Sequence, residues 1–172
     1  YKMKPKSVTD SIILHSNLAQ KALILLSQKG LKVGIAESCT GGLLSYHFTS
    51  LAGASNVLDG AMISYANEIK ASWLSVDRRD LERFGAVSEQ VVRGMCEGIL
   101  QQTRADVAMA TSGIAGPSGG SSQKPVGSVF IGVQLKGESV HIAYCHFGGD
   151  RLSVQSQSCA KALEMLIMAL DS

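Results

Sequence analysis

The chain has no large excess of either charge, no long apolar run and no closely paired cysteines, and each absence removes a class of function. Its 16 basic and 14 acidic residues leave a formal net charge of +2. No field of the kind that grips nucleic acid or an acidic membrane is expected. Much of that small excess sits at Lys2, Lys4 and Lys6, in a start expected to be frayed or artificially added, with Met3 as a candidate initiator. No stretch reaches the ~18 apolar residues that span a bilayer, and no signal peptide is expected. Cys39, Cys96, Cys145 and Cys159 lack a short paired spacing, which points to reduced thiols in a cytoplasmic protein. Neither they nor His15, His47, His141 and His146 form a zinc spacing, so no structural metal and no cofactor are expected. No Walker-type lysine loop is present. Gly113, Gly116 and Gly119 are spaced three apart, which is not the dinucleotide fingerprint.

What is present describes a folded domain. Hydrophobic residues make up 45% and charged residues 17% of 172 positions, enough to bury about two-thirds of the unfolded surface in one core. Residues 11–172 are read as a single domain and 1–10 as a disordered or added start. Asp10 is expected to cap a helix running to Gly30, with Leu14, Leu18, Ala22 and Leu25 on its core face. A short buried strand over 31–36 precedes a helix over 41–51. A strand over 57–65 leads to a helix capped by Asn67, and a short helical piece follows over 78–84. Ser88 caps the next helix, whose core face is Val92, Met95, Cys96, Ile99 and Leu100. A strand over 106–111, a hairpin of strands over 127–135 and 139–147, and a helix from about Leu152 complete the chain. That last helix is read as burying Ala160, Leu163, Leu166, Ile167 and Leu170. Alternating strands and helices, followed by a hairpin, predict an α/β fold: a three-layer α/β/α sandwich around a mixed, mostly parallel sheet.

In such folds ligands lie beyond the carboxyl ends of the strands. Three small or polar clusters fall there, over 37–42, 65–70 and 112–124, and they are expected to converge on one cleft. Ser38 follows an apolar run and opens a turn into a helix, where free N–H groups favour an anion. It reads as a nucleophile, a phosphate ligand or a plain helix cap. A serine nucleophile needs a base. Lys70, in the first turn after Asn67, suits that role if burial and the helix dipole lower its pKa by about two to three units. Otherwise it is a solvated surface lysine. Tyr65 either relays a proton or holds the lysine amine. Cys39 reads as a thiolate at a helix start or as an inert buried thiol. Thr40 reads as a cap. Glu37 orients Lys70 or a ribose hydroxyl, or is a surface carboxylate.

The 112–125 loop is long for an idle connection, and its glycines permit close backbone approach. Lys124 is placed to meet a phosphate. Arg151 either forks onto a phosphate or carboxylate or joins Asp150 in a helix cap. The string Gly116-Pro117-Ser118-Gly119-Gly120 imitates a nucleophile elbow, yet it follows loop residues rather than a strand and precedes no helix.

Taken together, Ala36-Glu37-Ser38-Cys39-Thr40-Gly41-Gly42, Tyr65-Ala66-Asn67-Glu68-Ile69-Lys70, Gly85-Ala86-Val87-Ser88, Ser112-Gly113-Ile114-Ala115-Gly116-Pro117, Lys124-Pro125-Val126-Gly127 and Gly149-Asp150-Arg151 resemble the CinA C-terminal domain family. Its enzymatic members are nicotinamide-nucleotide amidases of the PncC type. The resemblance spans about residues 11–170. It implies a metal-free amidohydrolase that converts nicotinamide mononucleotide to nicotinic acid mononucleotide and ammonia. It also implies the stand-alone domain rather than the two-domain form, acting as a homodimer or higher oligomer. Ser38 matches the nucleophile, and Lys70 and Tyr65 match its activating partners. The backbone of Cys39, Thr40, Gly41 and Gly42 would hold the oxyanion. Ser112, Gly113, Gly116, Gly119 and Gly120, with Lys124 or Arg151, would hold ribose and phosphate, and Glu37 and Asn67 join the substrate-binding set. Two departures stand out: Ala66 where serine or threonine is common, and Leu152-Ser153-Val154-Gln155-Ser156 where an arginine usually follows one turn into the last helix. The alternative reading is a catalytically silent nucleotide-binding module of the same family.

Overall fold

A computed structural model describes residues 8–172, with side chains from His15 onward. Lys2, Met3, Lys4 and Lys6 therefore lie outside the described residues, as does the side chain of Leu14. In chain order the elements are α1 (Val8–Lys29), β1 (Val33–Glu37), α2 (Leu43–Thr49), α3 (Ala54–Val57), β2 (Leu58–Ile63), α4 (Asn67–Leu74), α5 (Arg78–Phe84), α6 (Glu89–Gln102), β3 (Val107–Gly113), β4 (Ser128–Leu135), β5 (His141–His146) and α7 (Arg151–Asp171).

The five strands form one mixed sheet in the order β2-β1-β3-β4-β5. β1 pairs in parallel with both β2 and β3, whereas β4 is antiparallel to both of its neighbours. Four of the five strands thus run one way and only β4 runs back. Side chains along β1 alternate between the faces, as a period of two requires. Val33 and Ile35 enter the core beneath α1, α2 and α7, and Ala36 enters the core beneath α4, α5 and α6. Helices therefore cover both faces of the sheet, giving the expected α/β/α sandwich.

Small residues set how closely the layers approach. A Cβ on Gly98 of α6 would sit 2.0 Å from the Leu74 carbonyl oxygen, so α6 meets the end of α4 at backbone contact distance. That contact matters for the site, because α4 carries Lys70.

Several expected details shift. α1 starts at Val8, so Asp10 lies inside the helix rather than at its cap. The fully buried face of α1 is Ala19, Ala22 and Leu26, and Leu18 and Leu25 are only half-buried. α1 lies along α7, and close helix contact favours the alanine-bearing face with the leucines at its flanks. Ala66, not Asn67, occupies the N-cap of α4, and it gives no side-chain cap. The segment after Gly42 divides into α2 and the single-turn α3, with the left-handed Gly53 between them. Ala160 is half-buried, and Val154, Cys159 and Ala162 carry the α7 core face instead. Ser88 caps α6 as expected, accepting the Val91 N–H, and Asp150 caps α7 by accepting the Ser153 N–H.

Candidate active site

The parallel register of the three central strands builds the site. Glu37 at the end of β1 stands beside Ile63 of β2 and Thr111 of β3. The residues that follow, Ser38, Ser64 and Ser112, therefore emerge side by side. The Ser38 N–H donates to the Thr111 carbonyl at 3.0 Å and the Ser64 N–H to the Glu37 carbonyl at 2.8 Å. The 37–42 and 65–70 clusters meet at this edge, and the start of the 112–124 loop joins them.

Lys70 is fully buried. Its Nζ donates to Ser38 Oγ at 2.9 Å, to the Ser64 carbonyl at 2.6 Å and to the Tyr65 carbonyl at 3.0 Å. Among the described residues no carboxylate accepts from it. A buried, uncompensated amine disfavours its charged form, and burial pulls the Lys70 pKa from 10.5 down to about 8, with the nearby Cys39 opposing slightly. The geometry is informative in the neutral state. The two carbonyls only accept, so they claim both N–H bonds of a neutral amine. The remaining tetrahedral position is then a lone pair directed at Ser38 Oγ, placed to take the hydroxyl proton. Tyr65 holds the amine through its backbone, not its phenol. The phenol is exposed and accepts from Arg151 Nη2 at 3.0 Å.

Glu37 takes a role different from the expected ones. Its carboxylate is fully buried and does not touch Lys70. It accepts from the N–H groups of Gly42 at 3.2 Å, Leu44 at 2.9 Å and Ser45 at 3.0 Å, from Thr40 Oγ1 at 2.6 Å, and from the Ser45 hydroxyl. These are the orphan donors at the start of α2, so a strand-end carboxylate caps the following helix. Thr40 Oγ1 gives its proton to Glu37, so Thr111 Oγ1 must donate to Thr40 across 2.8 Å. Thr40 and Gly42 thus belong to the frame of the turn. The Gly41 N–H donates to the Ser38 carbonyl. Among the described residues the N–H groups of Cys39 and Thr40 donate to no backbone carbonyl, and the Cys39 N–H meets its own thiol, which leaves this pair as the candidate donors beside Ser38. Cys39 itself packs in the core, and burial pushes its thiol up to about 12. It is an inert thiol.

The glycine-rich loop folds on itself. The Ile114 N–H donates to the Ser128 carbonyl at 2.8 Å, and the Gly127 N–H donates to the Ile114 carbonyl at 2.7 Å. A Cβ on Gly116 would lie 2.4 Å from Val126 Cγ1, one on Gly120 would lie 2.7 Å from Val126 N, and one on Gly113 would meet Val129 Cγ2 at 2.6 Å. These three glycines serve loop and strand packing, while Gly119 has only ordinary contact at 3.7 Å. Ser112 Oγ is turned to the Ala86 carbonyl at 2.8 Å. Lys124 Nζ is turned to the Phe84 carbonyl at 2.6 Å, which orients it toward the end of α5. Arg151 instead lies at the mouth of the site, with Nη1 on the Gly116 carbonyl at 2.7 Å and Nη2 on the Tyr65 phenol. Asn67 is exposed and lines a separate groove with Arg78, Leu81 and Glu82. A second groove, between the α4–α5 segment and α6 and lined by Asp77, Asp80, Arg93 and Glu97, contains neither Ser38 nor Lys70.

Comparison with known proteins gives the family. The family model of the CinA C-terminal domain matches residues 15–170. The chain belongs to the CinA C-terminal domain family. Relatives include CinA-like proteins of Thermotoga neapolitana, 46% identical over 83% of the chain, and of Dictyoglomus thermophilum, 40% identical over 88%. The chain spans about a third of the length of these curated relatives, 34% and 36% respectively. Among solved structures, the competence/damage inducible protein CihA from Agrobacterium tumefaciens superposes with a TM-score of 0.89 at 38% identity, covering 92% of this chain and 96% of that one.

Two groups of the CinA site escaped the sequence reading. Ser64 contributes a carbonyl, to which side-chain patterns are blind. Gln155 of α7 donates Nε2–H to the Cys39 carbonyl at 2.9 Å. Its only signal was its place one turn beyond Arg151, on the same face of the helix.

Proposed function

We propose that this CinA-family chain is an amidohydrolase that deamidates nicotinamide mononucleotide to nicotinic acid mononucleotide and ammonia. The observation that carries the proposal is the contact between Ser38 Oγ and a fully buried, carboxylate-free lysine amine at 2.9 Å. A passive binding site has no need of a desolvated base on a hydroxyl.

In this reading neutral Lys70 accepts the Ser38 proton as Oγ attacks the amide carbon. The negative charge that forms on the carbonyl oxygen is met by the Cys39 and Thr40 N–H groups. Such donors are typically worth about 3 kcal/mol each in the transition state. When the tetrahedral intermediate collapses, the C–N bond breaks and Lys70 returns its proton to the departing nitrogen, releasing ammonia. Water then attacks the acyl-serine with the same amine as base, freeing the acid and restoring Ser38. Arg151, with a guanidinium only partly used by Gly116 and Tyr65, is the proposed holder of the phosphate. Among the described residues no helix is long and apolar enough to cross a membrane. The proposed enzyme is cytoplasmic, acts on small-molecule pyridine nucleotides and assembles as a homodimer or larger homo-oligomer.

The test is ammonia release from nicotinamide mononucleotide by the purified chain, beside Ser38→Ala and Lys70→Ala with their folding checked by circular dichroism. Turnover by the intact chain and its loss in both folded variants support the amidase. Absence of turnover, with the nucleotide still raising the melting temperature, would show a binding module instead.

A further inference from the structure

Residues 38–41 form the turn that carries the nucleophile. The Gly41 N–H donates to the Ser38 carbonyl at 3.1 Å, closing a β-turn with Cys39 and Thr40 at its centre. Both ends of this turn are tied down independently. The Ser38 N–H is held by the Thr111 carbonyl, and the Gly42 N–H by the Glu37 carboxylate. None of these bonds sets the central peptide, between Cys39 and Thr40. Among the described residues Thr40 is not one with positive φ; a full flip to a type II turn would demand that conformation of a β-branched residue, so the freedom left to the unit is a tilt. A trans peptide holds its C=O and N–H antiparallel. A tilt therefore swings the Cys39 carbonyl and the Thr40 N–H together, in opposite directions.

Among the described residues a single side chain is bonded to that peptide. Gln155 donates Nε2–H to the Cys39 carbonyl at 2.9 Å, across 116 residues of sequence. The start of α7 is itself fastened to the site, because Asp150 caps it and Arg151 ties it to Gly116 and Tyr65. Gln155 is thus presented at a fixed height above the turn.

We infer that Gln155 is a positioning residue: by anchoring the Cys39 carbonyl, it fixes the central peptide in the orientation that presents the Thr40 N–H to the oxyanion. The inference rests on the reading of Ser38 as a nucleophile, but not on the identity of the substrate.

The deciding variants are Gln155→Met, which keeps length and neutrality but removes the donor, and Gln155→Lys, which keeps a donor of similar reach. Each is assayed on nicotinamide mononucleotide and, separately, for the rate at which a fluorophosphonate labels Ser38. That probe also develops charge on an oxygen held by the oxyanion donors. Loss of one such donor costs about 10²–10³-fold in kcat, and a peptide released to tilt loses part of it. Gln155→Met is expected to lower kcat and labelling by at least ~10-fold, with KM and the pH midpoint unchanged, and Gln155→Lys to restore most of both. A wild-type chain that leaves the nucleotide intact, yet shows this labelling pattern, would refute the proposed substrate and uphold the role of Gln155. Labelling of Gln155→Met at the wild-type rate overturns the inference. So does equal impairment of both variants, which would mark Gln155 as packing alone. A wild-type chain that resists the probe overturns the role of Gln155 together with that of Ser38.

Discussion

Raising the pH from 6 to 9 is expected to switch Lys70 from a stored proton to a working base, and the same titration must register in stability. The fall of its pKa from 10.5 to about 8 corresponds to about 3 kcal/mol at ~1.4 kcal/mol per unit. At pH 7 roughly one molecule in ten has the neutral amine. Below pH 8, kcat/KM should therefore climb about tenfold per pH unit and then level off. The sign for stability follows from proton counting. Between about pH 8 and 10.5 the unfolded chain holds the Lys70 proton and the folded chain does not, so unfolding becomes harder as pH rises. The cost of burying the charge is complete below pH 8 and is relieved, by up to about 3 kcal/mol, through that window. Lys70→Met removes the linkage and leaves the Ser64 and Tyr65 carbonyls without their donor, at ~1–3 kcal/mol each. Near pH 7 these effects roughly cancel, whereas near pH 10 the variant should be the less stable protein by a few kcal/mol. The assays are ammonia release across pH 6–9.5 and urea unfolding of both proteins across pH 7–10.5. A flat activity profile through pH 8 would sink the base assignment. A stability rise of equal size in Lys70→Met would show that another group titrates.

Three further outcomes follow from the frame around the site. Glu37→Gln places an amide NH₂ among five donors, so unfolding free energy should fall by about 2–4 kcal/mol, seen as a lower urea midpoint, with activity falling alongside it. Gly98→Ala drives a Cβ toward the Leu74 carbonyl, which it would approach to 2.0 Å. Overpacking of this kind costs about 1–3 kcal/mol, and displacement of α4 should lower kcat through Lys70 more than it lowers the melting temperature. Iodoacetamide at pH 8 should leave Cys39 unmodified in the folded chain, because its thiol lies near 12, and Cys39→Ala should keep its amide hydrolysis. Loss of activity in that folded variant would return the thiol to the chemistry.

Much of the architecture was open to reading along the chain, because it depends on neighbours close in sequence. The buried apolar run over 31–36, the Ser88 cap and the hairpin turn between 135 and 139 are local signals, and each expected element formed within a few residues of its place, while the single turn of α3 was not expected. The motif strings led to the family for the same reason, since each is a short contiguous run. The errors came where two elements compete for one surface. The apolar stripe of α1 marks several leucines, but it is the alanine face that lets α7 come close.

The roles within the site were decided by tertiary structure. Ser38 and Lys70 are 32 residues apart, and nothing in either segment says that β1 and β2 run parallel in adjacent positions, which is what brings the two side chains together. Glu37, Lys124 and Gln155 make the point from the other direction. Their chemistry was visible as a carboxylate, an amine and an amide, but the donors on α2, the carbonyl of Phe84 and the carbonyl of Cys39 were not. A charged or polar side chain takes whatever partner the fold sets within about 3 Å. Sequence determined which groups were available and where the strands would end. The order and register of the sheet determined which of those groups touch: the amine a serine hydroxyl, the carboxylate a helix start, the amide a turn carbonyl.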